Sequence, residues 1–105
     1  MSTTQGHHAR HRLDEAIHAP VRLSLVAALA QVDEAEFAHV RDTIEVTDST
    51  LSKQAAQLEV VGYVRIRKGH VGKRPRTWLS LTPTGREALA RHLDALRLIA
   101  EGPSS

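Results

Sequence analysis

The sequence contains no cysteine. That excludes a disulfide framework, a thiolate metal site and a cysteine nucleophile, and it is compatible with a reducing compartment. Aromatic residues are almost missing too. Phe37, Tyr63 and Trp78 are the whole set, so the core has to be built from Ala, Leu and Val. Long apolar runs are lacking: the longest, residues 23–30, is interrupted by Ser24 and is too short to span a bilayer. Residues 1–12 are polar and His-rich with no apolar stretch after their charges, which is not the layout of a secretory signal. These absences predict a cytoplasmic protein without membrane contact. The 105 residues fit one small domain, whose limited buried surface would gain from pairing with a second copy.

What is present is segregated charge. The formal net charge is only +2, yet residues 62–78 carry six bases (Arg65, Arg67, Lys68, Lys73, Arg74 and Arg76) and no acid. Residues 13–61 carry nine acids against three bases. A uniformly solvated surface mixes the signs. A basic segment beside an acidic body is the footprint of a face that binds polyanions.

Periodicity predicts helices first and strands late. Residues 1–12 read as a disordered arm, 13–101 as the folded domain and 102–105 as a disordered tail. A first helix is expected over residues 14–31, with a break near His18-Ala19 because Pro20 suits a first helical turn better than a middle. A small strand at Glu36-Phe37 precedes a second helix over residues 38–45. Thr47 is a good N-cap for a third helix over residues 48–60, which stops at Gly62. Leu51, Ala55 and Leu58 mark its buried side, and Thr50, Lys53, Gln54 and Gln57 mark a polar stripe at three-four spacing. The period then changes: residues 63–67 alternate apolar and basic as a half-buried strand does, and residues 77–81 form the returning strand. Gly69, Gly72 and Pro75 predict a loop over residues 68–75. Thr82-Pro83 opens a last helix reaching Glu101, with Leu89, Leu93, Leu96 and Ala100 on one apolar stripe and Ala88, Ala95 and Ile99 beside it. The fold class is therefore mainly α with a small antiparallel β-hairpin (α+β).

Four stretches, taken with their spacing, carry a family resemblance. They are Leu13-Asp14-Glu15-Ala16-Ile17-His18-Ala19-Pro20-Val21-Arg22-Leu23, Asp48-Ser49-Thr50-Leu51-Ser52-Lys53, Leu58-Glu59-Val60-Val61-Gly62-Tyr63-Val64 and Leu81-Thr82-Pro83-Thr84-Gly85-Arg86. The chain resembles MarR/ArsR-like winged helix-turn-helix regulators, especially the small one-domain winged-helix DNA-binding group. That resemblance covers about residues 13–100. It implies a homodimer on pseudo-palindromic promoter DNA, a long C-terminal dimerisation helix and a nucleoid-associated location.

The residues agree in chemistry with that implication. A recognition helix needs one face to pack and one to present polar groups to base edges in the major groove. Ser49, Thr50, Lys53, Gln54 and Gln57 are the candidates, with Gln able to pair bidentately with adenine and Lys with guanine. Thr47, Ser52, Arg65, Arg67 and Lys68 are backbone-contact candidates. His70, Lys73, Arg74 and Arg76 form the expected wing tip, where Arg side chains can enter a narrow minor groove. Leu89, Leu93, Leu96 and Ile99 are the expected dimer contacts, with a second copy of the chain as partner. The plain alternatives are a solvated helix face and a solubilising basic loop, and it is the charge segregation that favours double-stranded DNA over them. A second reading keeps the fold and changes the partner: the basic hairpin docks an acidic protein. A small-molecule effector in the crevice between the first, second and last helices is compatible with regulation, and no residue constellation names one.

Other chemistry finds little support. His7, His8 and His11 lie in the arm, without the preorganised geometry a metal needs, and His92 and Asp94 face different directions on a helix. No metal and no cofactor is expected. No nucleophile elbow, phosphate-cradling glycine loop or carboxylate pair suggests an enzyme.

Overall fold

The computed structural model describes residues 8–102. A 3-10 turn (Ala9–Arg12) is followed by α1 (Pro20–Leu29), β1 (Ala35–Glu36), α2 (Phe37–Thr43), α3 (Asp48–Val60), β2 (Val64–Val71), β3 (Arg74–Leu81) and α4 (Pro83–Glu101). The predicted arm is thus structured from Ala9 to Arg12, where His8 Nδ1 accepts from Arg10 N–H at 3.0 Å and the turn packs on α4. Residues 1–7, with His7, and residues 103–105 lie outside the described residues.

The first helix begins later than residue 14 for a local reason. Ala19 precedes proline and is extended, with φ −67° and ψ 140°, because the proline ring disfavours helical backbone in the residue before it. Residues 14–18 form a separate turn in which Asp14 O accepts from Ile17 N–H and His18 N–H. α2 begins and ends earlier than predicted, and its C-terminus closes with Glu45 in the left-handed region, φ 59°. Val46 N–H then donates back to Arg41 O, six residues against one, as in a Schellman closure. This turn sets α2 against α3 and completes a helix-turn-helix.

The sheet is antiparallel with order β1-β3-β2. Residues 68–75, predicted as a loop, are mostly strand: β2 and β3 stay in register from Val64↔Leu81 to Val71↔Arg74, leaving only Gly72-Lys73 as the turn. Gly72, φ 62°, takes the first central position that a type II′ hairpin turn reserves for glycine. Pro75 does not break β3. Val71↔Arg74 flanks a two-residue turn and is a hydrogen-bonded pair, so His70↔Pro75 is a non-hydrogen-bonded one. The missing N–H of Pro75 would therefore have pointed away from β2, on a side where β1 pairs only at Leu79 and Trp78.

The core is aliphatic, as expected. Ile17, Leu25, Val26, Leu29, Val40, Leu51, Leu58, Val64, Leu79 and Leu81 are buried between the helices and the sheet, with Ala55, Ala88 and Leu89. Leu89 was predicted at a dimer contact; at 7% exposure it belongs to the chain's own core, packed in the same cluster as Leu81 and Ala88. Thr82 caps α4 by accepting from Gly85 N–H at 3.0 Å, and its own hydroxyl donates to Gly62 O at 2.6 Å. This fixes α4 to the start of the hairpin. Gly85 makes that approach possible, since a Cβ there would overlap the Tyr63 carbonyl and Leu81.

Candidate nucleic-acid interface

α3 is held by its first turn. Thr47 Oγ1 accepts from Thr50 N–H at 3.1 Å and lies 3.0 Å from Thr50 Oγ1 and 3.3 Å from Ser49 Oγ. Asp48 accepts from Arg41 at 2.9 Å, and Arg41 also bonds Asp42. These partners push the Arg41 pKa further up and hold the Asp42 carboxyl below the usual carboxylate range.

With Leu51, Ala55 and Leu58 buried, the ridge pointing away from the core consists of Ser49, Lys53, Ala56 and Val60, all exposed, Val60 by 86%. The predicted stripe of Thr50, Lys53, Gln54 and Gln57 is turned nearly a quarter of the way round from that ridge, toward α1. Thr50 and Gln54 are half-buried. Polarity along α3 does not track exposure, since the exposed ridge includes the apolar Ala56 and Val60. Arg22, on α1, is a further residue of this face without a predicted role. Its Nη1 donates to Gln54 Oε1 at 2.9 Å and to Gln57 Oε1 at 3.0 Å, so the carbonyl that bidentate adenine pairing needs is already engaged on both glutamines.

The opposite flank of α3 faces the hairpin across a groove. Asp48, Ser52, Ala56 and Glu59 line one wall, and Ile66, Lys68, Arg76 and Thr77 line the other. The hairpin's bases fall into two groups. Arg67 is bidentate to Glu34, at 2.9 and 2.7 Å, and lies 4.1 Å over the Trp78 ring. Arg76 bonds Glu36 of β1 at 2.5 Å. The hydrogen bond from Arg67 lowers the Glu34 pKa, and the same bond raises that of Arg67. Arg65, Lys68, Lys73 and Arg74 make no ion pair among the described residues and are exposed, as is His70. Arg76 is not at the tip: it pairs with Gly69, well back from the Gly72-Lys73 turn, while Lys73 and Arg74 are at the turn itself.

A second cluster ties the N-terminal segment to the hairpin. His92 is fully buried on α4, and its Nδ1 accepts from Asp14 N–H at 2.9 Å. Tyr63 O–H, just before β2, donates to Asp14 Oδ2 at 2.6 Å. His92 Nε2 is buried without a partner among the described residues, and the His18 ring packs edge-on at 5.5 Å. Burial, then the neighbouring His18, lowers the His92 pKa. Asp94 pairs with Arg97 at 2.7 Å on the exposed side of α4, so it and His92 do not converge.

On the outer part of α4, Leu93 is 47% exposed, and Leu96 and Ile99 are half-buried. Among the described residues no helix is long and apolar enough to cross a membrane.

Known proteins share this arrangement. A transcriptional regulator homologue from Pyrococcus horikoshii OT3 superposes with a TM-score of 0.77 at 29% identity, covering 83% of this chain and 86% of that one. A MarR-family transcriptional regulator from Silicibacter pomeroyi shares the fold with a TM-score of 0.65 at 23% identity, covering 86% of this chain and 60% of that one. An uncharacterized protein from Methanocaldococcus jannaschii is 27% identical over 73 residues, or 70% of this chain and 79% of its own length. The family model described as a winged helix DNA-binding domain matches residues 21–100, a span that holds the helix-turn-helix, the hairpin and nearly all of α4. With that match over a capped α3, a basic hairpin beside it and a long last helix, the chain belongs to the winged helix DNA-binding domain family.

Proposed function

We propose that this protein is a homodimeric, sequence-specific regulator of transcription that binds a pseudo-palindromic promoter site and represses it. The observation that carries this reading is that a flank of α3, through Ser52 and Ala56, and the hairpin, through Lys68, border one groove, with the exposed ridge of α3 beside it. In this reading α3 enters the major groove, where Ser49, Lys53, Gln54 and Gln57 reach base edges and Thr50 supports the first turn. Thr47, Ser52, Arg65 and Lys68 meet phosphates. Lys73, Arg74 and His70 reach the flanking minor groove, while Arg67 and Arg76 stiffen the hairpin through Glu34 and Glu36. Leu93, Leu96 and Ile99 of each α4 meet in the dimer, which buries the exposed Leu93. A regulator bound across a promoter blocks access to it, so repression is the expected sign.

Selection of bound sequences from a random duplex pool tests the reading. A two-fold symmetric motif with half-sites about one helical turn apart, or a multiple of it, is expected. A pool that enriches no motif, while an acidic protein co-purifies in stoichiometric amount, would favour the protein-docking alternative. Sedimentation tests the dimer separately: Leu93→Glu with Leu96→Glu should turn it into a folded monomer.

A further inference from the structure

We propose that Arg22 sets base preference from outside the recognition helix, by holding the carbonyl oxygens of Gln54 and Gln57 so that both side chains read DNA mainly as hydrogen-bond donors. The inference rests on the DNA-binding reading above and concerns what α3 selects. Arg22 is in the first turn of α1 and is half-buried. Its Nε donates to Ala16 O at 2.6 Å, which fixes the guanidinium against the turn formed by residues 14–18. Nη1 then faces α3 and donates to both glutamine carbonyls, at 2.9 and 3.0 Å.

A guanidinium has donors and no acceptor, so it can engage each glutamine only through Oε1. The amide end is identified by that requirement. The N–H bonds of Gln54 and Gln57 are thereby left for another partner. A glutamine that reads adenine needs both ends, donating to N7 and accepting from the N6 amino group. With one lone pair of each Oε1 taken and a guanidinium charge beside the other, the amino groups of adenine and cytosine meet a poorer acceptor, whereas guanine offers N7 and O6 and thymine offers O4. The clamp thus disfavours the adenine contact that glutamine alone would favour. Arg22 is a positioning residue here: it acts on the bases through Gln54 and Gln57.

The test compares motifs selected from a random duplex pool by the parent, Arg22→Ala, Gln54→Leu and Gln57→Leu, with folding checked by circular dichroism. The glutamine variants mark the base positions each side chain reads. At those positions the parent should prefer guanine or thymine over adenine by about tenfold, and Arg22→Ala should move the preference toward adenine. A merely structural role for Arg22 would lower affinity for all sequences and leave the preference where it was. The proposal is overturned if the parent prefers adenine there, if a folded Arg22→Ala keeps the parent's preference, or if neither glutamine variant changes the motif. Should Arg22→Ala fail to fold, the parent and the two glutamine variants still decide between guanine or thymine and adenine. A parent that binds no duplex at all overturns the DNA-binding reading itself, an outcome distinct from these.

Discussion

Glu45 is in the left-handed region at φ 59°, a conformation that costs an L-residue about 1 kcal/mol and that asparagine tolerates better. Its place in the turn between α2 and α3 explains why it stays: the Val46-to-Arg41 bond needs a left-handed residue between them. Glu45→Asn should raise stability by roughly 0.5 kcal/mol in urea denaturation. A loss instead would mean that the glutamate side chain makes a contact worth more than the strain. Gly85 presents the opposite case. Alanine there puts its Cβ on the Tyr63 carbonyl and on Leu81, so Gly85→Ala should cost about 1–3 kcal/mol by the same measurement; a neutral result would contradict the close packing of α4 on the hairpin. Neither position announced itself in the sequence. A left-handed glutamate looks like any helix residue, and a close approach between residues far apart in the chain leaves no local pattern.

At the scale of elements, the boundaries of α3 and α4 were legible because their caps are local chemistry. Thr47 accepts from Thr50 N–H and Thr82 from Gly85 N–H, as a threonine before a helical pattern predicts. The hairpin was only half legible. Gly69, Gly72 and Pro75 all look like breakers, yet only Gly72 makes a turn, because Pro75 falls where no strand needs its N–H. How far each polar α3 residue points outward was less legible, since Thr50 and Gln54 are half-buried. Which side of a helix is outward depends on what packs against it, and Arg22 reaches Gln54 across 32 positions of sequence. In the sequence His92 figures only beside Asp94 as a metal ligand that helix geometry disfavours, but in the fold it is the buried link between α4 and Asp14. Its pKa is lowered in the folded state, so the unfolded chain binds more protons around and below pH 6.5. Stability should be fully present above that pH and decline as pH falls through the folded value, because a protonated ring can no longer accept from Asp14 N–H. Thermal unfolding between pH 8 and pH 5 should show this loss for the parent, and His92→Gln should flatten it. An equal decline in the variant would assign the effect to other groups.

For the whole molecule, the charge asymmetry read from the sequence remains the main functional signal, but its usable part is smaller than six bases. Glu34 and Glu36 neutralise Arg67 and Arg76 and brace the hairpin against β1, which leaves Arg65, Lys68, Lys73 and Arg74 to meet a polyanion. The division of labour follows from this. Arg67 is stacked on Trp78. On the proposed reading, the bases at the turn supply attraction without sequence preference, and preference is the task of α3 with Arg22 behind it.

The central claim, that the hairpin grips duplex DNA through its unpaired bases, is tested most directly by titrating salt against duplex affinity for the parent and for Lys73→Ala with Arg74→Ala. Log affinity of the parent should fall steeply with log salt concentration. The double variant should bind all sequences more weakly, with a slope shallower by about 2 for each protomer. A double variant that follows the parent's affinity across the whole titration would contradict the claim.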